Sequence, residues 1–383
     1  MRRRWRKGGI RLGKISIRRV ETRKDLHRFI TLPWKIYEGN PHWVPPLLSE
    51  QKYLLNREKG PFFEIGQAEY FLALRGEEPV GRISAHINHQ WNQHYQDEKG
   101  FFGFFECIED EEVAASLFQV AEEWLRRRGK TSVLGPMSFS IYDELGLLVD
   151  SFDQDPVVLL TYNPAYYIHL IEKQGFAKAI DWYAYLMTDQ TPINPVLFEV
   201  RDRVLRRNGM VIRHANLSRF KEEAVKAKAI FNEAWSENWG HLPFTDTQFD
   251  HLAKGLRMIL DERLLFFGEI MGKPIGVCVS IPDVNQALKG INGRLLPFGW
   301  FRLLRGLKKV KKLRTIIMGV KKEHRHTGID VAFYVETIEK GKALGYTESE
   351  CSLVVETNTW MRKALEDLGA KIYKTYRLYE KAL

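Results

Sequence analysis

A run of cations ends on a glycine at Lys321-Lys322-Glu323-His324-Arg325-His326-Thr327-Gly328. It joins a stretch that reads as a strand, Thr315 to Val320, to one that reads as a helix, Ile329 to Leu344. Val331, Tyr334, Val335 and Ile338 give that helix its apolar stripe. A helix start presents unpaired N–H groups and the positive end of its dipole. A glycine there lets an anion approach the backbone closely, while Lys321, Lys322, Arg325 and two histidines add charge. The spacing predicts a cradle for a phosphate or pyrophosphate. The plainer alternative is a basic turn capped by Asp330.

The elements that position this loop occur twice. Glu69 to Gly81 and Leu264 to Gly276 are matching cassettes, and Asn163…Gly175…Tyr183 matches Asn358…Gly369…Tyr376. Pro79 and Pro274, Gly81 and Gly276, and Asn163 and Asn358 share one constant offset, the mark of a duplicated unit. The expected organisation is a basic tail (1–14), a first repeat (15–190), a linker (191–210) broken by Pro192 and Pro195, and a second repeat (211–383). In the first repeat, strands are expected at Tyr70 to Leu74, Val80 to Ile87 and Gly103 to Ile108. A helix is expected from Glu111 to Arg128, then a long insertion from Pro136 to Tyr162, and a last strand at Trp182 to Leu186. In the second, strands are expected at Leu264 to Glu269, Pro274 to Ile281, Thr315 to Val320, Ser352 to Glu356 and Ile372 to Leu378, with helices between. Strands alternating with helices predict α/β units. Only the second copy carries the cationic loop. The equivalent stretch of the first is Glu109-Asp110-Glu111-Glu112, four acids that stabilise a helix start and repel an anion there.

Composition sets the bounds. The 383 residues suffice for two ordinary domains, and 44% apolar with 28% charged residues reads as globular. No stretch approaches the roughly 18 apolar residues that a membrane span needs, and no apolar segment of the signal-peptide type follows the basic N-terminus. Cys107, Cys278 and Cys351 form neither a disulfide framework nor a zinc motif, which suits the cytoplasm. The spacing of His86, His89 and His94 fits no zinc pattern, so no metal is expected. The net charge is +10, and between Asp283 and Glu323 there are eleven Lys or Arg and no acid.

With the strand, the cationic loop, the helix and the Asn358…Gly369…Tyr376 tail arranged together, the chain resembles the Gcn5-related N-acetyltransferase (GNAT) superfamily. The resemblance covers 211–383 well and 15–187 more weakly. It implies an α/β fold of two tandem GNAT-like units, each a mixed central sheet flanked by helices. The family's Arg/Gln-x-x-Gly-x-Gly/Ala motif, which binds the pyrophosphate of an acyl-CoA, maps to Arg325, Gly328 and Asp330. Acyl-CoA or acetyl-CoA is then the co-substrate, held by Met318, Val320, Arg325, His326, Thr327, Gly328, Ile329 and Asp330. The family's asparagine maps to Asn358, and its later turn to Leu365 and Gly369-Ala370. Two positions depart from the pattern: Asp330 stands where a small residue is usual, and Leu365 where a tyrosine often serves as general acid. Pro41 to Pro46, Gly100 to Cys107 and Gly135 to Tyr162 also resemble a bacterial family of tandem acetyltransferase-like proteins. Some of its members are linked to ceramide synthesis, acylating the amine of a sphingoid base.

Amide formation from a thioester needs a deprotonated amine, and a carboxylate can take that proton. Glu356 and Asn358, at the end of one strand, and Glu106, at the end of its counterpart in the first repeat, are the expected catalytic residues. Tyr142, Asp143 and Glu144 are further candidates in the insertion. Residues 295–312 place Leu, Phe and Trp ahead of a lysine cluster, a pattern suited to an anionic membrane surface on the inner face. RNA also binds basic aromatic stretches, but no RNA-recognition motif is present and nucleic acid is not an expected partner. The expected activity is acyl transfer from acyl-CoA to an amine of a lipophilic acceptor. The alternatives are a Fem-type aminoacyl-tRNA-dependent transferase and a non-catalytic binding protein with a decayed coenzyme site.

Overall fold

The structure is a computed structural model that describes residues 14–383. Apart from Lys14, the basic tail expected at 1–14 lies outside the described residues.

The glycine shared by the two cassettes has a packing role in each. A side chain on Gly81 would come within 2.7 Å of Leu117 in the helix Glu111–Arg126, and one on Gly276 within 2.7 Å of Phe333 in the helix Ile329–Ala343. In both halves the missing side chain lets the long helix lie against its sheet. The first of these helices starts where the Asp110 carboxylate accepts from the N–H groups of Glu112 and Val113. It buries Val113, Leu117, Ala121 and Leu125.

Among the described residues thirteen strands join into one sheet, twelve along a path and Leu147–Leu148 beside it, while Met137–Ser138 and Glu144–Leu145 pair separately. From one edge the path runs Ile15–Arg19, Gly66–Arg75, Glu78–Asn88, Lys99–Cys107, Ser132–Gly135, Lys371–Ala382, Ala177–Thr188, Glu348–Val355, Lys312–Val320, Lys273–Pro282, Leu265–Ile270 and Met210–His214. The centre of that order shows an exchange. Lys371–Ala382, the last strand of the second repeat, pairs with Ser132–Gly135 and Leu147–Leu148 of the first. Ala177–Thr188, the last strand of the first repeat, pairs with Glu348–Val355 and Lys371–Ala382 of the second. A boundary near 190 therefore divides the chain in sequence but not in the sheet.

The expected linker at 191–210 needs a second correction. Past Pro195 the chain forms the helix Val196–Asn208, started by Asn194 Oδ1 accepting from the Val196 N–H at 3.0 Å. Leu197, Val200, Val204 and Leu205 pack into the core of the second half. Residues 295–312 contain the helix Gly299–Leu307.

In each half one parallel pair opens into a wedge. Lys312–Thr315 pairs with Glu348–Cys351, and pairing then stops although both strands continue to Val320 and Val355. Lys99–Phe101 pairs with Ser132–Leu134 and parts in the same way. The first wedge is plugged by its own chain. The Met137 carbonyl lies so near Gly103 that a side chain there would sit 2.3 Å away. Ser138 Oγ accepts from the Phe104 N–H at 3.2 Å, and Phe139 stacks on Phe62 at 4.4 Å. The second wedge is open.

Candidate active site

The open wedge forms a cavity of about 770 Å³. Ile316 to Val320 line one side and Ser352 to Val355 the other. Their facing edges have backbone N–H and C=O groups that the sheet leaves available, so an extended, amide-containing chain can complete the ladder. The helix Phe220–Trp235 contributes Phe231, Ala234 and Trp235, and the first half supplies Ile141, Tyr142, Asp143, Leu145, Leu159 and Trp182. No single repeat makes this site.

The cationic loop lies at the same cavity: Arg325, His326 and Asp330 line it, as do Met318 and Val320. Gly328 caps the following helix at φ +83°, a conformation that favours glycine. A carboxylate already occupies the loop's charge. Glu237 pairs with Lys322 Nζ at 2.9 Å and with Arg325 Nη1 at 2.8 Å, and the two cations hold its carboxyl below the usual range. Arg325 Nη2 also donates to the Ala234 carbonyl at 2.6 Å. An anionic ligand at the loop thus competes with Glu237. Asp330 faces the same space, where its charge opposes a bound anion. Exposed Trp360 lines the cavity beside His326, ring centroids 4.9 Å apart.

Asn358 lines the cavity and caps the helix Thr359–Asp367, its Oδ1 accepting from the Met361 N–H at 3.1 Å. Two other expected residues are not brought there. Glu356 is turned to Lys178, 2.8 Å away, and does not line the cavity. Glu106 belongs to the plugged half, where it accepts from the Tyr167 hydroxyl at 2.7 Å and faces Arg82 at 3.7 Å. Strand-end position suggested both, but the strand expected to reach Glu356 ends one residue earlier, at Val355. Of the three insertion candidates, Tyr142 and Asp143 reach the cavity while Glu144 accepts from Ser138 Oγ. Sequence reasoning missed Phe231 and Trp235, whose helical stripe resembles any core-facing helix, and Glu237, in the turn after that helix. His86 is fully buried between Phe62 and Phe101, and burial pushes its imidazole down to about 3. Among the described residues no three His, Cys, Asp or Glu are grouped to hold a metal ion.

Among solved structures, a tandem GNAT protein from the clavulanic acid biosynthesis pathway superposes with TM-score 0.57, at 11% identity, over 96% of this chain and 98% of that one. A GCN5-related N-acetyltransferase from Sphaerobacter thermophilus gives TM-score 0.52 at 15% identity, over 96% and 95%. These likenesses carry the fold. No family model matches the chain. Over 376 residues the chain is 40% identical to the bacterial ceramide synthase of Caulobacter vibrioides (strain NA1000 / CB15N), spanning 96% of this chain and 98% of that protein. The chain belongs to the family of this bacterial ceramide synthase. It is also 35% identical over 376 residues to protein YghO of Escherichia coli (strain K12), spanning 96% of this chain and 95% of that one.

Kinship with that ceramide synthase, on a tandem GNAT fold, makes the protein an N-acyltransferase. The aminoacyl-tRNA-dependent and non-catalytic alternatives give way to this. The GNAT position at which a tyrosine often serves is a fully buried leucine, Leu365, which can donate no proton. Tyr334, which also lines the cavity, directs its hydroxyl to Met361 Sδ at 2.8 Å. Burial pushes the Cys351 thiol up to about 12, so it is no nucleophile at neutral pH.

Glu106 gives a pH signature of the plugged half. Burial pushes its carboxyl up to about 7 from 4.5, against Arg82 and the Tyr167 hydroxyl, which pull it down. Between those values the folded chain holds a proton that the unfolded chain releases. Stability at this site is therefore lost as pH rises through that window. Glu106→Gln is expected to lose less thermal midpoint than the unmodified chain between about pH 5 and pH 8. Calorimetric scans at both values check this, and parallel losses would show that Glu106 does not titrate there.

Proposed function

We propose that the protein transfers a long acyl chain from acyl-CoA to the primary amine of a sphingoid-type lipid. One observation carries the reading: a single cavity runs from a cationic loop to apolar walls, Phe231 and Trp235 of the same half facing Ile141, Leu145 and Leu159 supplied by the other half. In this reading Arg325, His326 and the backbone of Thr327, Gly328 and Ile329 hold the diphosphate, and Trp360 stacks on the purine. Met318 and Val320 hold the amide-bearing arm, and Asn358 fixes the start of the helix beside it. Asp330 lowers affinity for the anion. The relative named for ceramide synthesis supports an amine of the sphingoid class as acceptor.

The acceptor is a lipid, and the protein collects it from an anionic bilayer through residues 295–312. Leu296 and Phe298 are 78% and 73% exposed, and Trp300, Phe301 and Leu304 are exposed with them. Arg302, Arg305, Lys308 and Lys309 lie among or directly after them. Exposed aromatics beside clustered cations suit the interface of an anionic leaflet. Leu307 packs into the same apolar cluster as Leu252, Ile316 and Ile317, which line the cavity. No helix among the described residues is long and apolar enough to cross a membrane.

The test is turnover of palmitoyl-CoA with sphinganine presented in vesicles, read as amide product and free thiol in equal amounts. Faster turnover is expected on phosphatidylglycerol than on phosphatidylcholine, and Trp300→Ser with Phe301→Ser should erase the difference. No amide on either vesicle would rule out the acceptor, and equal rates on both would rule out the anionic surface.

A further inference from the structure

Four carboxylates line the cavity: Asp143, Glu237, Asp330 and Asp367. Glu237 is held by Lys322 and Arg325. Asp330 lies in the first turn of the helix after the cationic loop, at the anion end. Asp367 is exposed at the last turn of Thr359–Asp367. Asp143 differs from all three because it comes from the first half, on the wall that also carries Ile141 and Leu145.

The segment that carries Asp143 is fixed in place. Ser140 Oγ donates to the Asp143 carboxylate at 2.6 Å, and the Asp143 N–H donates to the Ser140 carbonyl at 3.2 Å. The hydroxyl of Tyr142, the preceding residue, is bound by His241 Nδ1 at 2.6 Å and the Leu242 carbonyl at 2.9 Å. The second half therefore clamps the insertion of the first at the residue before Asp143. The charged groups facing Asp143 are Glu144 beside it, Glu50 of the helix Leu48–Leu54 and His251 of the helix Asp246–Arg257. Glu50 and His251 bind each other at 2.7 Å.

We propose that Asp143 is the general base of the reaction, delivered by the plugged repeat into the active site of the open one. The assignment rests on the acyl-transfer reading. One carboxylate oxygen takes a proton from the acceptor ammonium. The freed amine nitrogen attacks the thioester carbonyl carbon, forming the C–N bond. The tetrahedral intermediate collapses with loss of the C–S bond, and the sulfur leaves with the second nitrogen proton. The proton on Asp143 then returns to solvent. Asp143 is itself exposed to the open cavity, and the surrounding cleft walls raise its carboxyl above the usual carboxylate range, the direction that suits a base working near neutral pH. Because Asp143 opens onto the cavity, an acceptor that fills the cavity strips the carboxylate of water and brings its own ammonium in exchange. Ser140 and Tyr142 are positioning residues. This also gives the first repeat a reason to persist without a coenzyme site of its own.

The experiment compares Asp143→Asn with the unmodified chain on two acceptors, sphinganine and a long-chain O-alkylhydroxylamine whose nitrogen is already unprotonated at neutral pH. Palmitoyl-CoA binding is measured in parallel by calorimetry. With sphinganine, kcat is expected to fall about 10²–10⁴-fold while palmitoyl-CoA affinity stays unchanged. With the alkylhydroxylamine most of that loss should vanish, and Asp143→Glu should restore part of the sphinganine rate. Retention of sphinganine turnover to within about tenfold overturns the assignment. Equal losses on both amines also overturn it, since they mark a structural role. Failure of the unmodified chain to bind palmitoyl-CoA would remove the acyl-transfer reading itself, a result separate from either.

Discussion

Cut in the loop between Thr191 and Asn194, the two halves are expected not to fold apart and to regain structure when produced together. Among the described residues, Ala177–Thr188 is hydrogen-bonded only to strands of the second half, Glu348–Val355 and Lys371–Ala382. Among the same residues, Lys371–Ala382 is in turn bonded only to strands of the first, Ser132–Gly135, Leu147–Leu148 and Ala177–Thr188. Each fragment therefore ends in a twelve-residue strand with no partner of its own. Each would also expose side chains that the whole chain buries: Trp182, Ala184 and Tyr185 on one, Tyr376, Leu378 and Tyr379 on the other. A long apolar edge with its backbone unpaired invites aggregation. Far-UV circular dichroism of separate and co-produced fragments measures the effect. Two fragments that fold independently would contradict the exchanged strands.

The second large effect is on stability. Glu350 is wholly buried between the halves, where it accepts from the Tyr373 hydroxyl and from Ser352 Oγ. Its carboxylate lies 4.0 Å from Arg314 Nε. Arg314 is buried too, donating to Ser352 Oγ at 2.9 Å and to the Val158 carbonyl, on the first half, at 2.6 Å. Fully buried Lys374 is pushed down to about 8 by burial, with the Glu350 charge opposing that fall. Removing one member of such a network strands the others in a medium of low dielectric. Glu350→Ala is expected to cost about 3–5 kcal/mol and to lower the thermal midpoint by on the order of 10 °C. Glu350→Gln keeps the shape and part of the hydrogen bonding, so it should cost less. A change below about 1 kcal/mol for the alanine variant would mean the charges are not coupled as the geometry indicates.

Much of this architecture was legible because duplication doubles the signal. The paired cassettes placed Gly81 and Gly276, and the helix starts at Glu111 and Ile329 came from apolar spacing that the structure repeats. The cationic loop stood out because the matching stretch of the other copy is acidic. The exchange of final strands could not be read this way. The two strands carry similar aromatic patterns, and local sequence does not say which neighbour a strand takes. The plug at Met137–Phe139 and the place of Asp143 lay inside an insertion without periodicity, where only tertiary packing decides. Glu356 shows the opposite failure: the strand expected to reach it ends one residue earlier, at Val355, and in the turn that follows Glu356 faces Lys178 and not the cleft.

The most direct test of the central claim, that the open wedge and its loop bind an acyl-CoA, is calorimetric titration of palmitoyl-CoA into the unmodified chain, Arg325→Ala and Glu237→Gln. Charge-assisted hydrogen bonds contribute about 1.5–3 kcal/mol each, so Arg325→Ala is expected to weaken binding roughly 10- to 100-fold. Glu237→Gln removes the carboxylate that competes for Lys322 and Arg325 and should tighten it. Equal affinity for the unmodified chain and Arg325→Ala would contradict the account.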